Sequence, residues 1–135
     1  MFLHFLEQQA HQQAFLEIAH LAAKADGNVN WKERGKLRSY IEEMGLLDED
    51  INLSNTRSLV EVLSVVQDKR VQKIMLIEIL MLLYTDGDYN DEEKEIVTEM
   101  KELFGFSDET FESMRAWVIA MDKLKVEGIK LILNA

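Results

Sequence analysis

Apolar residues recur along this chain at spacings of three and four, the period of helices that bury one face. In the first half the pattern predicts a helix from about Phe2 to Lys24 and a second that starts after Asn30 and ends at Gly45. A short helical turn is expected over residues 48–53. A longer segment over residues 57–67 follows, capped by Ser54 or Asn55.

In the second half, residues 71–84 are apolar almost all round, which indicates a central helix that is covered on most sides. The next helix opens at Asn90…Glu93 and closes at Gly105. Ser107 caps another helix, and a last short helix is expected from about Asp122 to Leu133. No segment alternates at the two-residue period of a strand. We therefore predict an all-α fold of six to eight helices.

The sequence around Asp26-Gly27 recurs 60 residues later, without a gap, around Asp86-Gly87. A repeat in strict register indicates one helical unit built twice. We expect a single helical domain over residues 1–135, with pseudo-repeats at about 11–67 and 71–127. The identical positions are Asp26/Asp86, Gly27/Gly87, Asn30/Asn90, Glu33/Glu93, Glu42/Glu102, Gly45/Gly105, Asp48/Asp108 and Glu49/Glu109.

Composition narrows the classes of function. The chain has no cysteine, which excludes disulfides, a thiol nucleophile and thiolate metal sites, and no proline, which suits long helices. The amino terminus does not have the pattern of a signal peptide, and the most apolar window is too short to span a bilayer. We therefore expect a cytoplasmic protein with no direct membrane insertion.

The formal charge of −10 is concentrated in the second half of the chain. Residues 86–112 hold eleven acids and two lysines, a net charge of −9. Such a surface repels nucleic acid and anionic lipid and attracts cations or basic partners. Equally, it can be a solvated acidic face that only aids solubility.

The two Asp-Gly loops are the main candidates for a binding site. Carboxylate and amide oxygens at alternating positions suit calcium or magnesium, but the glycine position and the apolar twelfth position exclude an EF-hand. Helix capping and termination explain the same residues, since Asn-x-x-Glu is also a capping box and glycine ends helices. Both interpretations remain open at this stage. The candidate cation ligands are Asp26, Glu33, Asp86, Asp88, Asp91 and Glu93.

Other candidate chemistry is weaker. Glu17 and His20 have the Glu-x-x-His spacing of di-iron bundles, but the second repeat has Leu80 where a partner histidine is needed. No nucleophile elbow or phosphate-binding glycine loop is present, so we predict no catalytic residue. The methionines at core spacing predict gap-filling packing, or alternatively an adaptable peptide groove.

The Ala25-Asp26-Gly27…Glu33 block, repeated as Thr85-Asp86-Gly87…Glu93, resembles the signature of the TerB-like family. The resemblance extends from about Phe15 to Met121. It implies an all-helical domain with internal pseudo-symmetry in the bacterial cytoplasm or against the inner membrane face. It also implies an interaction module of stress or phage-defence systems and divalent-metal binding through acidic residues. Copy one departs from the acidic pattern, with asparagine at positions 28 and 30.

Together these observations favour a non-enzymatic TerB-like interaction module with a protein partner. A divalent-cation-binding protein centred on the second loop is the alternative, and an enzyme ranks third. The sequence leaves the partner and the oligomeric state open.

Overall fold

The computed structural model describes residues 1–24, 31–47, 53, 57–84 and 91–134, and within these ranges all regular structure is helical. This confirms the predicted all-α class. The helical elements are a 3₁₀ turn at Leu3–Phe5 and six α-helices: α1 (Gln9–Ala23), α2 (Trp31–Glu43), α3 (Leu59–Ser64), α4 (Lys69–Leu83), α5 (Asp91–Phe104) and α6 (Asp108–Leu133).

Helix α4 lies at the centre of the packing, as its nearly continuous apolar sequence predicts. It contacts α1, α5 and α6, while α1 also packs against α2 and α3. Phe15 of α1 meets Tyr40 of α2 edge to face, with ring centroids 5.1 Å apart. Burial of apolar surface on several sides of one helix is the main stabilising term of such a bundle. The fully buried side chains of α4 are Met75, Leu76, Ile79 and Leu80.

Two glycines end helices as predicted. Gly45 and Gly105 have positive φ angles of 70° and 73°. After α2, Leu46 N–H donates to the Ile41 carbonyl and Gly45 N–H to that of Glu42, each at 3.0 Å. This pairing is the Schellman motif, which satisfies helix carbonyls that would otherwise lack partners. Glycine is favoured there because a Cβ strains the left-handed backbone.

The helix that precedes α4 is shorter than predicted, and its predicted cap is wrong. Ser58 is the N-cap, and its hydroxyl and Glu61 form a reciprocal capping box. Arg57, expected in the first turn, reaches back to Glu17 of α1 instead. At the other end, Asp68 caps α4 by accepting from Arg70 N–H at 2.8 Å, so the chain breaks between the segments predicted at residues 57–67 and 71–84.

The predicted helix over residues 2–24 is also wrong at its start. After the 3₁₀ turn, Leu6 is extended (φ −84°, ψ 102°), and α1 begins only at Gln9. Gln12 Nε2 donates to the Leu6 carbonyl at 2.8 Å and stabilises the break. Periodicity cannot show this break because Phe2 and Leu6 are spaced as in a helix although the backbone between them turns.

The predicted separation of the last two helices is wrong. A single helix of 26 residues, α6, runs from Asp108 to Leu133, and Ser107 caps it as expected by accepting from Thr110 N–H at 3.1 Å. Asp122 lies inside this helix. No proline interrupts the segment, and the apolar period continues through it, so nothing terminates the helix there.

Helices α1 and α4 begin at residues 9 and 69, and α2 and α5 begin at residues 31 and 91, which is the offset of the sequence repeat. Spatial equivalence of the two halves stays a prediction. Both Asp-Gly loops and most of the turn expected at 48–53 lie outside the described residues. Of the helices described, none combines the length and apolar character needed to cross a membrane.

Candidate functional site

Two glutamates hold the amino-terminal segment against the bundle. Phe2 N–H donates to Glu78 Oε1 of α4 at 2.7 Å, and Leu3 N–H donates to Glu43 Oε2 of α2 at 2.8 Å. The Met1 ammonium lies 2.9 Å from Glu43 and 3.2 Å from Glu78. Glu78 is 1% exposed, and a buried carboxylate is tolerated when it is paired and hydrogen-bonded.

These two glutamates border a cleft of about 240 Å³ between α2, α4 and α6. Burial raises the pKa of Tyr40 in its wall well above the ordinary value of 10, and the charges of Glu78 and then Glu43 raise it further. The phenol is therefore a neutral hydrogen-bond donor at physiological pH. Further lining residues are Met81 and Tyr84 of α4 and Met121, Asp122 and Lys125 of α6.

A second buried carboxylate has a structural partner. Arg57 Nε donates to Glu17 Oε1 at 3.2 Å and its Nη2 donates to Oε2, which makes a bidentate pair. Glu17 is thus engaged by a guanidinium and does not join His20 in a metal site of the di-iron type. Burial, with a smaller effect of Lys24, lowers the pKa of His20, so its imidazole is neutral near pH 7.

Of the six predicted cation ligands, the structure describes the side chains of two, Asp91 and Glu93. In the first turn of α5, Asp91 and Glu92 are exposed while Glu93 is 6% exposed. Asp26, Asp86 and Asp88 lie outside the described residues, as does the side chain of Glu33. Within the described ranges, no group of three histidine, aspartate or glutamate side chains is placed to hold a metal ion.

The carboxyl-terminal half of α6 is exposed, and after Asp122 and Lys125, which border the cleft, it extends beyond the packed body. Val118 is the last buried residue of this helix, and beyond Met121 every residue up to Asn134 is exposed except the partly exposed Gly128. We call residues 122–133 the α6 overhang. It is about 18 Å long at the rise of an α-helix. Its exposed large apolar residues are Leu124, Val126, Ile129, Leu131, Ile132 and Leu133.

A shallow apolar groove lies beside the amino-terminal segment. Phe2, Phe5, Ile74 and Ile77 line it, and Arg70 and Lys73 lie at its rim. Phe2 also packs against Trp117 of α6, with ring centroids 5.6 Å apart and ring planes tilted by 45°. The groove is thus connected to α6 through the aromatic pair of Phe2 and Trp117.

A family model described as tellurite resistance protein TerB matches residues 12–116. The chain belongs to the TerB family. This confirms the resemblance suggested by the Asp-Gly blocks. Comparisons with curated proteins and with solved structures found no significant match.

The TerB match divides the candidate features into two groups. It includes both Asp-Gly loops, Glu43 and Glu78. The amino-terminal segment that these glutamates hold lies outside it, and so does the α6 overhang. The exposed apolar surface is therefore an addition at the edge of the TerB region of this chain.

Sequence reasoning missed the two anchoring glutamates and the α6 overhang. A signal for Glu78 was present, since it is the one acid in the apolar stretch 71–84, and an acid there needs a buried partner. No signal in the sequence pairs it with Phe2. The overhang is visible as a periodic apolar pattern, but periodicity does not show whether a face is covered.

Proposed function

We propose that this TerB-family chain is a single-domain, non-enzymatic interaction module that works in the cytoplasm and binds a protein partner through the α6 overhang. The exposure of its apolar side chains carries the proposal: Leu131, Ile132 and Leu133 are 78%, 75% and 77% exposed. Isolated exposed apolar residues are ordinary, but a contiguous patch marks an interaction surface. The family resemblance supports a stress-related role.

The polar groups of the body support a non-enzymatic role. Glu43 and Glu78 accept backbone N–H groups, and Glu17 holds Arg57. Tyr40 stays protonated beside them. These side chains are occupied in stabilising the fold, whereas catalysis needs a nucleophile with a positioned base.

The chemistry of the surface favours a protein over nucleic acid or an anionic membrane. The net charge of −10 repels phosphate, and binding to a nucleic acid backbone depends on lysine and arginine contacts. The α6 overhang offers aliphatic side chains, which suit the groove or apolar helix face of another protein.

A photo-crosslinking amino acid placed at Leu131 tests the proposal. In cells that express the full chain, position 131 should form a covalent adduct with a second polypeptide upon irradiation. The matched control is Ala116, an exposed residue of the same helix outside the apolar face. Absence of any adduct from position 131, or equal labelling from both positions, would contradict an interaction surface on the overhang.

Divalent-cation binding at the second loop is the alternative function, favoured by the run of three carboxylates, Asp91, Glu92 and Glu93, in the first turn of α5. Carboxylate oxygens are the ligands that calcium and magnesium prefer. Thermal unfolding in EDTA against calcium, magnesium, manganese or zinc tests it. A ligand at 100 times its Kd stabilises by about 2.7 kcal/mol. The shift should vanish in Asp86→Asn and persist in Asp122→Asn, and no shift with any ion would reject the site.

A further inference from the structure

The apolar face of the overhang continues the face that packs on the body. Met114 and Val118 of α6 are buried, and the same three- and four-residue spacing continues through Met121 to Leu124, Gly128 and Ile132. The opposite face is polar, with Lys123, Glu127, Lys130 and Asn134 at matching spacing. Lys125, which lies on the same side as Val118 and Ile132, interrupts this face where it borders the cleft. Beyond Lys125 the overhang is an amphipathic helix whose apolar face leaves the body that would cover it.

We propose that this face is a homodimer interface, in which the α6 overhangs of two copies of this chain pack against each other. The inference rests on the proposed function and names a partner for it. A surface that meets its own copy about a two-fold axis must complement itself, and two apolar helix faces do so.

The available area agrees with a dimer. Exposed Val, Leu and Ile side chains each carry on the order of 100 Å² of apolar surface. Two overhangs joined face to face would remove on the order of 1,000 Å² from water, counting the stems of the flanking lysines. That is about the minimum for a specific protein interface.

Charge favours the overhang over the rest of the surface as the place where two copies meet. Residues 122–134 contain Asp122, Glu127 and three lysines, a net charge of +1. With a total of −10, the remainder of the chain carries −11, and its net charge opposes close approach of two bodies. Contact through the overhangs joins the surfaces that repel each other least.

Gly128 lies in the middle of the apolar face, where glycine weakens a helix relative to alanine. A Cβ at this position would meet nothing within 4 Å in the same chain, so no intramolecular contact requires the glycine. A second helix that crosses at Gly128 approaches more closely than it could at a larger residue. This accounts for a helix-weakening residue at this place.

Sedimentation equilibrium of the full 15.7 kDa chain over micromolar concentrations tests the proposal. The wild type should show a monomer–dimer equilibrium, and Ile132→Glu should raise the dimer Kd at least tenfold. Ala116→Glu adds the same charge to an exposed position of α6 outside the apolar face and should leave the Kd unchanged. Because Ile132 is 75% exposed, its substitution leaves the packed body intact, and circular dichroism checks this.

A wild-type chain that sediments as a monomer throughout, or a dimer equally stable in Ile132→Glu, would overturn the proposal. Gly128→Leu supplies an independent variant, which should also raise the Kd by crowding the crossing point. Gly35→Leu is its control, because a Cβ at Gly35 likewise meets nothing within 4 Å. A monomer that still forms the adduct with a different polypeptide through position 131 would reject the homodimer while leaving the interaction-module function standing.

Discussion

The backbone nitrogen of Phe2 lies 2.7 Å from Oε1 of Glu78, across 76 residues of sequence. With the parallel bond from Leu3 N–H to Glu43, it fixes the amino-terminal segment to both α4 and α2. Leu3, fully buried, and Leu6, 2% exposed, add apolar contacts to this anchor. The segment is therefore part of the core even though it lies outside the region matched to TerB.

Glu78→Leu should destabilise the fold by about 1–3 kcal/mol, because Phe2 N–H loses its charged acceptor. Amide hydrogen exchange at Phe2 should accelerate at the same time. Urea unfolding measures the first effect and NMR-detected exchange the second. Glu95→Leu, an exposed site on α5, should change stability by no more than about 0.5 kcal/mol. Equal destabilisation by both variants, or unchanged exchange at Phe2, would show that the hydrogen bond is unimportant.

The carboxylate of Glu43 gives part of the stability a pH dependence. Burial raises its pKa, but the hydrogen bond and charge of the Met1 ammonium and the N–H of Leu3 outweigh burial and hold it below the ordinary value of 4.5. A pKa lowered by folding means stability that is complete above the unfolded value and lost as pH falls through the folded value.

Wild type should therefore exceed Glu43→Gln in unfolding free energy by a constant amount above about pH 5.5. The difference should shrink below pH 4.5, as Glu43 takes up a proton. Denaturant titrations at a series of pH values measure it. Glu95→Gln serves as the exposed control, and its unfolding free energy should change with pH in parallel with that of the wild type. A gap between wild type and Glu43→Gln that stays constant through acid pH would refute the role of this charge.

The Glu17–Arg57 pair should show a coupling of about 1 kcal/mol in a double-mutant cycle of Glu17→Gln and Arg57→Gln. The value is modest because the Arg57 side chain is 36% exposed and water screens it. Raising salt from about 0.05 M to 1 M should reduce the coupling, since the Debye length falls. A coupling near zero at low salt would show that the Glu17–Arg57 ion pair does not contribute to stability.

Three glycines should separate into two classes on replacement by alanine. Gly45→Ala and Gly105→Ala should each destabilise by about 1–2 kcal/mol, because an L-residue is strained at positive φ. Gly35→Ala should instead stabilise by about 0.4–1 kcal/mol, since the helix interior accepts a Cβ and the unfolded chain loses freedom. Thermal unfolding of the variants distinguishes the signs. A loss at Gly35 equal to that at Gly45 would contradict the role of φ.

Local rules account for much of what could be predicted. The starts of α2 and α5, the break before α4 and the cap at Ser107 follow from residues within one turn of each boundary. The same rules fail where a distant group competes for the backbone. Arg57 leaves the expected helix for Glu17, and Phe2 and Leu3 leave theirs for Glu78 and Glu43.

The candidate site shows the same division. The sequence identified acidic loop residues by type and spacing, and of these the structure describes the side chains of Asp91 and Glu93, one exposed and one buried. The sequence could not show that α6 extends beyond the packed body. A stripe of apolar residues has the same spacing whether or not another segment packs against it. The period of apolar residues shows which side of a helix is apolar. It does not show which other segment, if any, packs against that side.

The sequence by itself determined the helical class, most helix ends and the TerB membership, because these depend on periodicity, caps and a short motif that act over a few neighbouring residues. Only the tertiary structure decided that Glu78 binds the Phe2 backbone and that the overhang is exposed. Those features depend on which segments meet in space. That outcome is set by the packing of the whole chain, and the pattern of any one segment does not contain it.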